Sequence, residues 1–141
     1  MILDASVIVA WFVTDEPFGQ RALEVRTQTL AAPESVVVPA ICWTEVAHAL
    51  VRAIRRERLP TEALEPAGAA LRELMGIIST QEVDPVESMR LAIEHGTGVY
   101  DASYLVLARS LRRPLLTLDR RLAEVGEAGA IDVVWLGDDR G

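Results

Sequence analysis

Residues 1–12, MILDASVIVAWF, decide the fold class. A short apolar run, Met1–Leu3, reads as a strand and stops at Asp4, and a short first helix is predicted over Ala5–Phe12. The same grammar returns near the other end. There RPLLTLD (113–119) ends a strand, Leu115–Leu118, at Asp119, and a helix follows over Asp119–Glu127 before Gly129. Further β-type runs occur at Val36–Val38 and Ile131–Trp135, with a weaker one around Thr80–Val83. Helical patterns fill the intervals: from Pro17 to about Ala32, from Ala40 to about Leu59, and over Thr61–Ile78, Pro85–His95 and Asp101–Leu111. Pro66 should end or kink an early turn of its helix. Strands apolar on both faces that alternate with helices predict an α/β fold: a central parallel sheet of four to five short strands, covered by helices on both faces. Crossovers should be right-handed, and ligands should sit at the carboxyl ends of the strands, where Asp4 and Asp119 fall.

At 141 residues and 50% hydrophobic content, the chain fits one globular domain with a sizeable core. Its longest apolar runs, such as SVVVPAICW (35–43), are broken and far short of the ~20 residues of a membrane span. The N-terminus lacks the basic region of a signal peptide, and the one cysteine, Cys42, fits a reducing compartment. A cytoplasmic protein with no membrane partner is expected. The net charge of −7 argues against a general polyanion binder, although bound divalent cations would offset it locally. All 14 basic residues are arginine, so every mechanism that needs a lysine is excluded. That removes phospho-receiver chemistry, and aspartate-nucleophile phosphatases also want a second Asp where Ser6 stands. Gly96–Thr97–Gly98 is too short for a phosphate loop and reads as a turn. His48 and His95, with Cys42, are too few for zinc, and His48 is placed on a helix surface.

What remains is four carboxylates, each interrupting an apolar run. Asp4, Asp101 and Asp119 directly precede helices and can each serve as a plain N-cap. Glu45, in ICWTEVAHAL (41–50), is mid-helix on the edge of the apolar stripe rather than with Arg52, Arg55 and Arg56; a core-edge glutamate paired to an arginine is the alternative. Two carboxylates ~6 Å apart at an effective dielectric of ~20 repel by about 3 kcal/mol. Six such pairs approach ~15 kcal/mol, comparable to the stability of a whole domain, whereas helix N-termini return only ~0.3–1 kcal/mol each. A converged set must therefore bind cations, stay wet or hold protons. All-oxygen donors favour Mg²⁺ or Mn²⁺ over zinc.

Asp4-Ala5-Ser6-Val7, the mid-helix Glu45, Tyr100-Asp101-Ala102 and Thr117-Leu118-Asp119, in that order and spacing, resemble the PIN-domain nucleases, specifically the VapC toxins of bacterial toxin–antitoxin pairs. The resemblance spans essentially the whole chain. It implies a Mg²⁺- or Mn²⁺-dependent endoribonuclease that cleaves structured cellular RNA with a metal-activated water, is held inactive by a VapB-type antitoxin, and forms a homodimer. By the same match, Asp4, Glu45, Asp101 and Asp119 are the catalytic, metal-binding set, with Ser6 and Thr117 as supporting hydroxyls. Ala10 departs from the pattern, since related toxins opening with this motif often carry a lysine there. Arg112, Arg113, Arg120 and Arg121 flank the strand before Asp119 and are the expected RNA contacts. Arg52, Arg55, Arg56 and Arg58 read as a solvated face. Trp11, Phe12 and Trp43 are expected in the core, while in related toxins the early helices also form an apolar groove for the antitoxin. The competing readings are a non-cleaving PIN-fold binding module and a DNA-directed nuclease.

Overall fold

The structure, a computed structural model, describes residues 1–14 and 19–137. Pro17, expected to open the second helix, and residues 138–141 of the terminal GDDRG lie outside them. The elements are β1 (Ile2–Leu3), α1 (Ala5–Ala10), α2 (Gly19–Ala31), β2 (Val37–Pro39), α3 (Ile41–Arg55), α4 (Leu64–Ile77), β3 (Ser79–Gln81), α5 (Pro85–His95), α6 (Val99–Leu111), β4 (Leu115–Thr117), α7 (Arg120–Ala128) and β5 (Val133–Trp135). Each β-type run seen in the sequence overlaps a strand, with β2 and β3 displaced by one or two residues.

All strand pairs are parallel, in the order β3-β2-β1-β4-β5. From β1 the chain winds outward through β2 to β3, then returns to the other side of β1 with β4 and β5. The winding thus reverses between β1 and β4, and a doubly wound sheet opens a crevice at the carboxyl ends of such a pair. Leu3 pairs with Leu116, and the Asp4 N–H donates to the Leu116 carbonyl at 3.0 Å. Asp4 and the segment Thr117–Asp119 are therefore neighbours because of the strand order.

Successive strand residues point to opposite faces. Every residue of β1, β2 and β4 is buried, so the centre of the sheet is covered on both sides. The expectation of strands apolar on both faces holds for these three only. β3 reads Ser-Thr-Gln and is exposed throughout, a short polar edge that discourages pairing with other chains. Behind the sheet runs α6, whose residues Ala102–Ala108 are consecutively buried, as a helix apolar on all sides must be. Helix α3 buries Cys42, Trp43, Val46, Leu50 and Ala53 along one stripe. The Trp43 indole donates to Thr80 and the Trp11 indole to the Ala22 carbonyl, at 2.9 and 2.8 Å, so both sit in the core with their polar atoms satisfied. Phe12 is only partly buried.

Three local expectations change. Pro66 is the third residue of α4, in the first turn, where its missing N–H has no intrahelical partner to lose, and a separate 3₁₀ turn (Thr61–Ala63) precedes it. Helix α3 stops at Arg55, short of Leu59, because Glu57 turns into the left-handed region with φ of 58°. Helix α6 starts at Val99 with Gly98 as its N-cap residue, so Asp101 lies inside the first turn and does not cap it.

Helix α7, which carries Asp119 at its head, is seated against β5 through Gly126. A Cβ there would lie 2.1 Å from Val133 Cγ2 and 3.3 Å from Leu105 Cδ2. Alanine is the better helix former by ~1 kcal/mol, but overpacking costs ~1–3 kcal/mol. Gly126→Ala is thus expected to destabilise the protein by about 1 kcal/mol net in urea unfolding; a stabilised variant would refute this close packing.

Candidate active site

Asp4, Glu45, Asp101 and Asp119 all line one cleft of about 450 Å³ at the carboxyl edge of the sheet. Four different elements deliver them. Asp4 follows β1, Glu45 projects from the middle of α3, Asp101 from the first turn of α6, and Asp119 stands between β4 and α7.

Asp4 is the buried member. It occupies the N-cap position of α1 yet makes no capping hydrogen bond there. Its Oδ2 instead accepts from the Ser6 hydroxyl and, at 2.9 Å, from the Thr117 hydroxyl. Each hydroxyl is oriented from behind by a backbone N–H: Leu118 N donates to Ser6 Oγ at 3.0 Å, and Asp119 N to Thr117 Oγ1 at 2.9 Å. With their acceptor sides engaged, both hydroxyls spend their single protons on Asp4. Burial still dominates and pushes the Asp4 carboxyl above its ordinary range, against the hydroxyl bonds and with Asp119 adding repulsion.

Glu45 is half-buried, and its Oε1 accepts a 2.8 Å hydrogen bond from the phenol of Tyr104, which is fully buried. Burial raises the Tyr104 phenol first of all, with nearby Cys42, Asp4 and Glu45 adding to it, so Tyr104 remains a neutral donor. The thiol of Cys42, pushed up to about 12 by burial, is inert beside it. Burial also lifts Glu45, opposed by Tyr104 and assisted by Asp4 and Asp101. Asp101 rises through burial and the charges of Asp4 and Asp119, with Arg121 and the Thr97 hydroxyl opposing. Asp119 does cap α7, accepting from Arg121 N at 2.9 Å and Leu122 N at 3.3 Å.

These donors fit a hard divalent cation in kind: carboxylate oxygens with hydroxyls behind them and no thiolate or imidazole on the cleft wall. Among the described residues, however, no three acidic, histidine or cysteine side chains stand close enough to hold an ion without movement. Asp4, Glu45 and Asp101 are each raised by burial first and then by the charge of a neighbouring carboxylate.

The arginines divide differently from expectation. Arg120 and Arg121 follow Asp119 at the cleft edge, where Arg120 pairs with Glu124 and lies 5.3 Å over the Trp135 ring. Arg112 and Arg113 sit at the opposite edge of the sheet. They follow the C-terminus of α6, eleven residues or about 16 Å of helix from Asp101, and Arg113 acts on the Met1 amino group at the start of β1. The premise that this pair lies near the carboxylates does not hold: preceding the strand that ends at the site puts them at the wrong end of it. Arg58, expected on a solvated face, lines the cleft itself. Sequence reading also missed Tyr104, although its place one helical turn after Asp101, in a run that is otherwise apolar apart from Ser103, was a readable sign.

The family model described as "PIN domain" matches residues 1–128. The chain is 34% identical over 130 residues to Ribonuclease VapC3 of Pyrobaculum aerophilum, covering 88% of this chain and 92% of that one. It is 30% identical over 128 residues to Ribonuclease VapC9 of Mycobacterium tuberculosis, covering 91% and 92%. Among solved structures, a protein from Pyrobaculum aerophilum matches with a TM-score of 0.69 at 26% identity, over 88% of this chain and 82% of that one. A toxin–antitoxin complex from Klebsiella pneumoniae shares the fold with a TM-score of 0.62 at 21% identity, over 97% and 98%.

Raised carboxyl values carry a definite sign. Between the ordinary values of 3.8 to 4.5 and the raised ones, the folded protein holds more protons than the unfolded chain, so stability falls as pH rises through that window. The metal-free protein should melt higher at mildly acid than at neutral pH, and Asp101→Asn should raise the neutral melting temperature while flattening the dependence. Thermal melts in EDTA across a pH series check this; a parallel profile for the variant would show that the carboxylates are not in conflict.

Proposed function

The chain belongs to the PIN-domain family, in its VapC-type branch, and from that premise we propose that it is a metal-dependent endoribonuclease acting as the toxin of a toxin–antitoxin pair. The observation that carries the reading is the meeting of Asp4, Glu45, Asp101 and Asp119 in one cleft at the switch point of the sheet. A binding module has no use for carboxylates held against their own repulsion.

Asp4, Glu45, Asp101 and Asp119 would hold Mg²⁺ or Mn²⁺, which when bound would supply an activated water and offset charge on the scissile phosphate. Ser6 and Thr117 keep the Asp4 carboxylate oriented and favour its charged form. Tyr104 fixes the Glu45 carboxylate at the cleft wall. Hydrolysis by water leaves a 5′-phosphate and a 3′-hydroxyl and makes no use of the RNA 2′-hydroxyl. Unpaired loops of structured cellular RNA are the proposed substrate class, since their splayed bases and backbone are what proteins recognise in RNA.

A VapB-type antitoxin is the proposed partner. A cavity of about 460 Å³ between α1, α2 and α4, lined by Trp11, Phe12, Leu30, Leu74 and Ile77, supports docking of an amphipathic segment. A homodimer is proposed on α5, where Val86, Met89 and Ile93 stand exposed at i, i+3 and i+7, with Val99 and Tyr100 beside them. No helix among the described residues is long and apolar enough to cross a membrane; the proposed site of action is the cytoplasm.

The purified chain should cleave end-labelled structured RNA with Mg²⁺ or Mn²⁺, should not do so in EDTA, and should spare DNA of the same sequence. Thr117→Val should cost the roughly 10–100-fold typical of losing a group that orients a metal ligand, and Asp4→Asn more. Cleavage in EDTA, or 2′,3′-cyclic phosphate ends, would sink the mechanism.

Co-expression with the product of the adjacent small reading frame should yield a stable, inactive complex. Phe12→Glu in the apolar cavity should release the partner by about 1–3 kcal/mol or more of lost affinity. An undiminished complex in pull-down and titration would place the antitoxin elsewhere.

A further inference from the structure

We infer that RNA leaves the acidic cleft along α3, with its phosphates on Arg58, Arg52 and Arg56; this rests on the ribonuclease reading above. Glu45, Ala49, Arg52 and Arg56 follow one another at spacings of four, three and four, a single narrow stripe on a helix, so Glu45 shares its face with Arg52 and Arg56 instead of standing apart from them as the sequence pattern suggested. Glu45 and Ala49 line the acidic cleft. Ala49, Arg52, Arg56 and Arg58 line a second groove of about 200 Å³, and the two hollows share Val9, Val13, Ala49 and Arg58. The stripe therefore runs from the carboxylates to a basic surface through two adjoining hollows that share a wall. At about 1.5 Å per residue, Arg52 and Arg56 lie roughly 10 and 16 Å beyond Glu45.

The end of α3 is shaped to place Arg58 there. Glu57 N–H bonds to the Ile54 carbonyl at 3.0 Å and Arg58 N–H to the Ala53 carbonyl at 2.8 Å, the paired bonds of a Schellman turn. Glycine is the usual occupant of its left-handed position, whereas here Glu57 adopts φ of 58°. The turn folds the chain back so that Arg58 reaches the wall shared by both hollows. Arg58 is the basic residue among those lining the acidic cleft, and Arg52 and Arg56 are exposed with no ion pair among the described residues. A chain of net charge −7 repels a polyanion at long range, so attraction must come from such a local track. The competing explanation is that these arginines only complement the α3 dipole. Arg55 separates the two, because it sits in the same last turn but lines neither hollow.

The test compares binding of a short labelled single-stranded RNA to full-length Asp101→Asn protein, alone and combined with Arg52→Gln/Arg56→Gln, Arg55→Gln or Arg112→Gln/Arg113→Gln. Circular dichroism melts confirm that each is folded. The first pair is expected to weaken binding about tenfold or more. It should also flatten the slope of log affinity against log salt by about 1.4, at ~0.7 per phosphate contact on a single strand. Arg55→Gln and the Arg112/Arg113 pair should leave both unchanged. Equal losses from Arg55→Gln or the Arg112/Arg113 pair would overturn the track. So would unchanged RNA affinity with lost binding of the co-expressed partner, which would make the stripe a protein surface. Both results leave wild-type cleavage intact, whereas failure of the wild type to cleave any RNA would remove the ribonuclease reading itself.

Discussion

A carboxylate kept below the surface, beside three others that repel it, is the constraint on which this structure turns. Asp4 is buried, and no arginine forms an ion pair with it among the described residues. What holds it are two hydroxyls, each locked by a backbone N–H of the segment after β4. A positively charged partner would neutralise Asp4 and occupy its coordination space. Neutral donors favour the charged form and leave its negative charge uncompensated, as the proposed cation site requires. The arrangement needs β1 and β4 side by side, in register, with Thr117 at the strand end. The strand order meets that need before any side chain is considered.

The other carboxylates depend on the same frame at one remove. Glu45 is held from mid-α3 by Tyr104, which sits in the stretch Ala102–Ala108 where α6 is buried on all sides. The burial that makes α6 the spine of the core also keeps the phenol protonated and able to donate. Asp101, one turn earlier on that helix, emerges where α6 reaches the carboxyl edge of the sheet. Core packing and site geometry are thus parts of one structure, and the cost is visible in the raised carboxyl values. Such conflict between stability and readiness is common where function needs concentrated charge.

Charge is also distributed by the direction of the elements. Helix α6 begins at the acidic edge and ends at the opposite one, so the arginines after it are carried away from the site although they adjoin β4 in sequence. Helix α3 runs from the neighbourhood of the carboxylates toward its own basic end, and its closing turn folds Arg58 back to the cleft. An acidic protein thereby presents its positive charge in separate patches, of which only some face the chemistry.

Much of this was determined by the sequence alone. Short apolar runs ending at Asp4 and before Asp119, alternating with helical periods, specify a parallel α/β sheet, because strand and helix periodicities are local properties of the chain. The four carboxylates were legible for the same reason, since each breaks an apolar pattern, and Ser6 and Thr117 stand within two residues of them. Tertiary structure alone decided the rest. Whether Asp101 caps α6 depended on where that helix starts, and helix ends are set by a few backbone hydrogen bonds that composition barely encodes. Tyr104 and Arg58 join the site through contacts with residues 59 positions away and through a left-handed turn at a glutamate, which no spacing rule anticipates. Arg112 and Arg113 look adjacent to the site on paper, yet a strand separates them from it. Sequence proximity measures distance along the chain, and in a doubly wound sheet each strand carries the chain from one edge to the other.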